Sequence, residues 1–227
     1  MQLNKNQWLS ECRAWKEAWP IEKEQPSSTQ GDSHINLYSF ISIINAHLKP
    51  DSVIVWDAGS SLYITNQALK LDGKLQRSIG SLAQAEMGAA LGMAAGVSFA
   101  KGRGEVLCIL GDGSFNTNIQ ALAIIKEHRL PVKIFILNNS GYMSIKNSQD
   151  KFYDGRRIGT SKNDGIFFPD LAQIASAYQI LYFQPKSIEA IKLTVECVMQ
   201  LLNPIIIDVP CIEQQDIFSP LMVRPAI

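Results

Sequence analysis

Two apolar runs, each ending in residue types that bind metal ions, constrain the fold of this chain most strongly. Residues 106–110 run into Gly111-Asp112-Gly113-Ser114, and residues 132–137 run into Asn138-Asn139. The segment between them, 116–128, has the apolar spacing of a helix that covers a sheet. If both runs are parallel strands joined by this helix, the carboxylate and the amide meet at one sheet edge, where open α/β sheets bind ligands. One hard anion, one amide and a glycine-rich turn suit Mg²⁺ bound to a diphosphate.

The alternation of strand and helix continues through the rest of the chain. Further strands are predicted at 53–56, 180–183 and 204–209, and further helices at 36–48, 171–178 and 187–202. We therefore predict an α/β fold with a doubly wound, mainly parallel sheet and helices on both faces. Three parts are expected, namely an N-terminal connector helix and linker (1–33), the sheet domain (34–210) and a C-terminal tail (211–227).

Composition excludes several classes of function. Of the 227 residues, 46% are hydrophobic and 19% are charged, as in a globular protein with a substantial core. The formal net charge is zero and the basic residues are scattered, so we expect no binding to nucleic acid or to an anionic membrane. No apolar run approaches the roughly 20 residues of a membrane helix, and the N-terminus lacks the apolar core of a signal peptide. A cytoplasmic protein is expected.

The N-terminal segment has a tryptophan stripe. Trp8, Cys12, Trp15 and Trp19 recur at helical spacing, and Pro20 ends the pattern. The stripe faces the body of this domain, or it belongs to a connector that packs against another domain upstream. Both interpretations stand on the sequence alone.

An alanine- and glycine-rich segment, 80–100, precedes the first of the two runs. It predicts a long helix with Gly88, Gly92 and Gly96 on one face, and with Met87 near its start. The purpose of such a face is close packing on another backbone or on a cofactor.

Two polar segments are predicted to be irregular. Residues 57–61 form a small polar turn after the strand at 53–56, where backbone N–H groups can approach a phosphate. Residues 140–168 form a long loop at the sheet edge that binds ligands, and long loops in this position are commonly functional.

The spacing of GDG and NN, with strands on both sides, resembles the thiamin diphosphate-binding motif of the acetolactate synthase, pyruvate decarboxylase and benzoylformate decarboxylase superfamily. The resemblance covers roughly residues 35–210 and is closest to acetolactate synthase-like proteins, through MGAALGMAAG and NNSGYMSIKNSQDKFY. It implies the C-terminal, diphosphate-binding domain of such an enzyme, with thiamin diphosphate and Mg²⁺ as cofactors.

The resemblance also implies roles for individual residues. The side chains of Asp112 and Asn139 and the carbonyl of Gly141 would bind Mg²⁺, and Met87 would wedge the cofactor into its bent shape. Residues expected to contact the cofactor are Gly59, Ser60, Ser61, Ala85, Met87, Gly111, Gly113, Ser114, Tyr142 and Met143. Ser60-Ser61 stands where many relatives carry Gln-His. Glu86 replaces a small residue and is expected to point into solvent.

The glutamate that activates the cofactor in this superfamily lies on a separate pyrimidine-binding domain, which these residues do not include. We expect that domain to belong to the same full-length chain or to another subunit, and the N-terminal helix favours the same chain. Together they would decarboxylate a 2-oxo acid, with pyruvate as the expected substrate, as a carboligase or lyase. A homo-oligomer is expected.

Two alternatives remain at this point. The chain could be the β subunit of a split two-chain 2-oxo acid decarboxylase, or a non-catalytic interaction domain that keeps the fold. Ser148 stands where acetohydroxyacid synthases usually have tryptophan, which favours a less usual carboligase over branched-chain amino-acid synthesis.

Overall fold

Six parallel strands form one sheet in the order β2-β1-β3-β4-β6-β5. The computed structural model describes residues 5–18, 34–81, 83–213, 215 and 217. The strands are β1 (Val53–Trp56), β2 (Arg77–Ile79), β3 (Val106–Gly111), β4 (Val132–Asn138), β5 (Leu181–Phe183) and β6 (Ile205–Pro210). The helices are α1 (Lys5–Ala18), α2 (Leu37–Ala46), α3 (Ser60–Ala68), α4 (Ala89–Ala100), α5 (Asp112–Thr117), α6 (Ala121–Glu127), α7 (Met143–Phe152), α8 (Leu171–Ala177) and α9 (Ile188–Val198).

Helices cover both faces of the sheet, as predicted. One core cluster joins α2, α3 and α9 to strand residues such as Ile109 and Phe135, and the ring of Phe135 lies 5.5 Å from that of Phe40. The second cluster joins α4, α6 and α8 to the alternate strand residues, such as Cys108 and Ile134. Because successive strand residues point to opposite faces and both faces are covered, β1, β3, β4 and β6 are apolar along most of their length, with Lys133 and Asp208 as buried charged exceptions. The doubly wound α/β fold is therefore confirmed.

Three helices begin at polar caps that the sequence supplies. The side chain of Asn36 accepts a hydrogen bond from the N–H of Tyr38 at 2.9 Å, and that of Asp170 accepts one from Ala172 at 2.8 Å. The hydroxyl of Ser187 accepts one from the N–H of Ala190 at 3.1 Å. These contacts satisfy N–H groups that have no partner within the helix and fix the starts of α2, α8 and α9.

The helix predicted in the segment 80–100, with Met87 at its start, begins two residues later than predicted. Helix α4 begins only at Ala89, because Gly88 has φ of 83° and ψ of −6°, a left-handed conformation that a helix cannot continue through. Close packing is also limited to Gly88. A Cβ on Gly92 would lie no closer than 3.8 Å to a described side chain, and a Cβ on Gly96 would meet none within 4 Å.

Other boundaries also differ from the sequence predictions. The helix predicted at 116–128 is two helices, α5 and α6, separated at Asn118, whose φ of −143° and ψ of 34° are not helical. The segment 140–168 is not irregular throughout, since it contains α7 and a short 3-10 turn at Lys162–Asp164. Helix α3 occupies the end of the predicted turn at 57–61, and strand β2 was not predicted.

Helix α1 forms as the tryptophan spacing predicted. Within this helix the rings of Trp8 and Trp15 meet edge to face with centroids 5.5 Å apart, and each side chain is about half exposed. Trp19 lies outside the described residues, so the two interpretations of the stripe remain predictions, as does the division of the chain into three parts. Among the helices of the described ranges, none is long and apolar enough to cross a membrane.

Candidate functional site

A cleft of about 520 Å³ opens at the carboxyl ends of β1, β3 and β4. The carboxyl ends of the strands are where parallel sheets bind ligands. Twelve of the predicted site residues line it: Gly59, Ser60, Ser61, Met87, Gly111, Asp112, Gly113, Ser114, Asn139, Gly141, Tyr142 and Met143. Ala85 is exposed and lies outside the residues that line the cleft.

Asp112 begins helix α5 directly after β3 and is only 6% exposed. One carboxylate oxygen accepts a hydrogen bond from the N–H of Gly113 at 2.7 Å, and the other accepts one from the N–H of Gly141 at 3.1 Å. Burial raises the pKa of Asp112 to about 6, although these hydrogen bonds act in the opposite direction. The carboxylate therefore joins the turn after β3 to the turn after β4, which lie at one sheet edge as two parallel strands predict.

Asn139 presents an acceptor that the described protein atoms do not use. The side chain is 8% exposed, and its Oδ1 is buried without a hydrogen-bond partner among the described residues. A buried amide oxygen is normally paired, so an unpaired one lining a cleft calls for a ligand or an ion. An amide oxygen beside a carboxylate is a donor set that Mg²⁺ accepts.

Gly141 lies where a side chain would not fit. A Cβ there would fall 2.4 Å from the carbonyl oxygen of Thr160 and 2.8 Å from Nζ of Lys146. The neighbouring Ser140 has φ of 55°, so the turn after β4 is tightly bent. Lys146 is 5% exposed, and its positive charge acts to lower the pKa of Asp112. Lys146 was not predicted, because its helix was taken for a loop.

The two serines at the start of α3 have different surroundings. The hydroxyl of Ser61 donates to the carbonyl oxygen of Ala58 at 2.7 Å, and also lies 3.0 Å from that of Asp57. The hydroxyl of Ser60 is buried and has no partner in the described part of the chain. Ser60 is therefore the serine that is free to bind a ligand.

Ser144 is a candidate that sequence reasoning missed. Its Oγ is buried without a partner among the described residues, it lines the cleft, and it lies 3.5 Å from the position of a Cβ on Gly59. Ser60 of α3 and Ser144 of α7 thus line the same cleft. A helical pattern at Met143–Phe152 would have placed Ser144 in a first helical turn, but few apolar residues mark that helix.

The glycine turn after β3 is covered by an aromatic ring. A Cβ on Gly113 would fall 2.2 Å from Cε1 of Tyr142, so only glycine fits under this ring. Ser114 is 6% exposed and also lines the cleft. The N–H of Gly113 already donates a hydrogen bond to the side chain of Asp112, so this N–H stabilises the turn.

Met87 lines the cleft from the turn that precedes α4 and is 46% exposed. Both backbone polar groups of the following residue, Gly88, are hydrogen-bonded to side chains. Its N–H donates to Oδ2 of Asp57 at 2.9 Å, and its carbonyl accepts from Nδ2 of Asn118 at 2.9 Å. Asp57 was not singled out from the sequence, although it directly follows β1 as Asp112 follows β3.

Glu86 is exposed, as expected, and its carboxylate accepts a hydrogen bond from the hydroxyl of Ser81. It lies outside the residues that line the cleft. Ser148 lies on the exposed side of α7, where its hydroxyl donates to the carbonyl oxygen of Ser144 at 3.0 Å.

Comparison with known proteins identifies the same superfamily that the sequence motif resembles. The family model of the thiamine pyrophosphate enzyme, C-terminal TPP binding domain, matches residues 57–209. The acetolactate synthase large subunit of Cyanidium caldarium is 31% identical over 212 residues, which are 91% of this chain and 34% of that protein. That of Porphyra purpurea is 25% identical over 218 residues, 96% of this chain and 35% of that protein.

The acetolactate synthase of Arthrospira platensis is 29% identical over 180 residues, 79% of this chain and 30% of that protein. The chain thus spans about a third of the length of these curated relatives. The matched residues run from Asp57 at the end of β1 to Val209 in β6, and so include every strand end that forms the cleft. This chain belongs to the C-terminal TPP-binding domains of the thiamine pyrophosphate enzymes, in the acetolactate synthase-like superfamily.

Proposed function

We propose that the cleft binds Mg²⁺ together with the diphosphate of thiamin diphosphate. The observation that carries this proposal is the buried, unpartnered Oδ1 of Asn139, which lines the same cleft as the buried carboxylate of Asp112. Mg²⁺ prefers hard oxygen ligands and leaves part of its coordination shell to phosphate oxygens and water. The carbonyl of Gly141 is the third protein ligand that we propose.

The hydroxyls of the cleft fit the other half of the ligand. Ser60 and Ser144 each carry a buried Oγ without a partner in the described residues, and both line the cleft. A hydroxyl can donate to a phosphate oxygen, and hydrogen bonds to charged acceptors are stronger than those to neutral ones. We assign these hydroxyls to the diphosphate.

The residues around the metal have supporting tasks. Met87 would orient the cofactor by contact with its bend, which is a matter of proximity rather than of proton transfer. Leu37, Leu137 and Ile145 line the same cleft and would limit the entry of water. When bound, thiamin diphosphate supplies an electron sink for bond cleavage next to a carbonyl group.

The complete activity that we propose is decarboxylation of a 2-oxo acid, with pyruvate as the substrate and transfer to an acceptor carbonyl. It needs a pyrimidine-binding domain with an activating glutamate, in the same full-length chain or in another subunit. The similarity to acetolactate synthases supports this class of reaction. We further propose a homo-oligomer and a cytoplasmic location.

Titration calorimetry with Mg²⁺ in the presence of thiamin diphosphate tests the binding proposal. We expect saturable binding by the wild-type protein and its loss in Asp112→Asn, which removes the one anionic metal ligand. The matched control is Asp154→Asn, because Asp154 is exposed and its φ of 52° suits asparagine. Absence of binding by the wild type would favour a non-catalytic interaction domain, and unchanged binding by Asp112→Asn would overturn the metal assignment.

A further inference from the structure

Asp208 forms a buried hydrogen-bond centre behind the turn that carries the proposed metal ligands. It lies on β6 opposite Ile136 of β4, and it is 2% exposed. Its Oδ1 accepts a hydrogen bond from Nδ2 of Asn138 at 3.0 Å. Its Oδ2 accepts hydrogen bonds from the hydroxyl of Tyr182 at 2.8 Å and from Nε2 of Gln184 at 2.9 Å. Three side-chain donors therefore hold this carboxylate in one orientation.

The side chain of Asn138 links the Asp208 carboxylate to the turn after β4. Its Oδ1 accepts a hydrogen bond from the N–H of Ser140 at 3.2 Å, while its Nδ2 faces Asp208. All three neighbours donate to the Asp208 carboxylate, so it is the NH₂ end of the Asn138 amide that faces it. The amide oxygen is thereby left to face the N–H of Ser140.

The residue held in this way is the strained one in the turn. Ser140 has φ of 55°, a conformation that most residues avoid, and it lies between Asn139 and Gly141. Reversal of the Asn138 amide would set its NH₂ group against the N–H of Ser140, which would repel it. The turn then loses the contact that keeps Asn139 and Gly141 in place.

We propose that Asp208 is a positioning residue that, through Asn138, orients the Asn139 and Gly141 ligands of the Mg²⁺ site. Asp208 lies outside the residues that line the cleft, so it acts without touching the metal or the cofactor. Groups that orient metal ligands commonly change metal affinity 10- to 100-fold when they are removed. This inference rests on the proposed Mg²⁺ site.

The test measures Mg²⁺ affinity by calorimetry, with thiamin diphosphate present, in Asp208→Ala, Asn138→Ala and the double variant. We expect each single change to weaken Mg²⁺ binding roughly 10- to 100-fold. The double variant should be no weaker than the poorer single variant, because both changes break the same chain of contacts. Asp208→Asn keeps one acceptor oxygen but replaces the other with an NH₂ donor, so it no longer fixes which end of the Asn138 amide faces it and should retain the affinity only in part.

A control separates positioning from general stability. Lys133 is the second residue of the strand that Asn138 ends, and its Nζ donates to the carbonyl oxygens of Leu201 and Asn203 at 2.6 and 2.8 Å. Lys133→Met removes both hydrogen bonds together with the buried charge, so it should shift the midpoint of thermal unfolding and leave Mg²⁺ affinity unchanged. A loss of Mg²⁺ affinity in Lys133→Met equal to that in Asp208→Ala would overturn the positioning role.

The two proposals fail in different ways. If Asp112→Asn abolishes Mg²⁺ binding while Asp208→Ala and Asn138→Ala bind like the wild type, the positioning role is wrong and the metal site stands. If Asp208→Ala does not fold, Asn138→Ala decides, because it leaves the contacts of Asp208 with Tyr182 and Gln184 in place. If the wild type does not bind Mg²⁺, both proposals are wrong.

Discussion

Asp57 accepts a hydrogen bond from the N–H of Gly88 at 2.9 Å and so ties the end of β1 to the start of α4. The same carboxylate oxygen lies 3.4 Å from the N–H of Ala90, and the other oxygen accepts from Ala58 at 2.7 Å. Burial raises the pKa of Asp57, against the effect of these hydrogen bonds. A buried carboxylate thus holds the turn from which Met87 enters the cleft.

Gly88→Ala should destabilise the protein by about 1–3 kcal/mol. Gly88 has φ of 83°, and a Cβ there would lie 2.2 Å from Oγ1 of Thr117. Gly96→Ala is the matched control, because Gly96 is inside α4 and a Cβ there meets no described atom within 4 Å. It should stabilise the helix by up to about 1 kcal/mol. Urea unfolding measures both, and equal destabilisation would contradict the assigned contact.

Gly113→Ala should cost about 1–3 kcal/mol of unfolding free energy, because its methyl group would overlap the ring of Tyr142 at 2.2 Å. The neighbouring Gly111 has φ of −75° and ψ of 160°, which alanine adopts freely, and its Cβ would meet no described atom within 4 Å. Gly111→Ala should therefore change stability by less than about 0.5 kcal/mol. Denaturant unfolding of the two variants compares them, and a loss in Gly111→Ala as large as in Gly113→Ala would refute this account.

Ser144→Ala should leave the free energy of unfolding unchanged or raise it, because it removes a buried hydroxyl with no partner among the described residues. If that hydroxyl binds the diphosphate, affinity for thiamin diphosphate with Mg²⁺ should fall by up to about tenfold, the worth of one hydrogen bond. Calorimetry and thermal unfolding together provide the measurement. A drop in stability with unchanged affinity would assign Ser144 to structure instead.

Lys133 should make stability depend on pH in the alkaline range. Burial lowers its pKa to about 8, and the charge of Lys49 acts in the same direction while Glu105 opposes it. The folded protein therefore releases this proton at lower pH than the unfolded chain. The cost of the buried ammonium is full below pH 8 and is relieved as pH rises toward the ordinary lysine value of 10.5.

The comparison to make is with Lys133→Met, which cannot titrate at this position. The unfolding free energy of the wild type relative to this variant should rise between pH 8 and about pH 10. Urea unfolding at several pH values measures it. A difference that stays constant across this range would show that Lys133 keeps its ordinary pKa.

Local signals in the sequence predicted the fold class, whereas most of the residues that line the cleft were predicted from the resemblance to the thiamin diphosphate-binding motif. The buried strands are continuous apolar runs, and the residue after each strand must emerge at the same sheet edge. Strand β2 gives no such signal, since Arg77–Ile79 is short, polar and largely exposed, and among the described strands it pairs only with β1. Its formation depends on a neighbour that lies more than twenty residues away in the chain.

Three residues in or near the site were missed for a similar reason. Ser144, Lys146 and Asp208 acquire their surroundings from elements far apart in the sequence. The start of α4 was mispredicted because alanine favours helix on both sides of Gly88, whereas contacts with Asp57 and Asn118 bend the backbone there. Helix propensity is a local property of the sequence, so it does not predict a tertiary contact that ends the helix.

The strand order also has a consequence for the course of folding. The edge that carries Asp57, Asp112 and Asn139 joins three strands that are neighbours in space, although whole helices separate them in the chain. These distant strands must therefore pair before the cleft can form, and pairing of strands far apart in the chain is slow. The ligands should slow unfolding without accelerating refolding, because they can bind only after the last of these strands has paired. Stopped-flow refolding and unfolding with and without Mg²⁺ and thiamin diphosphate would detect the difference, and faster refolding would mean that the cleft forms early.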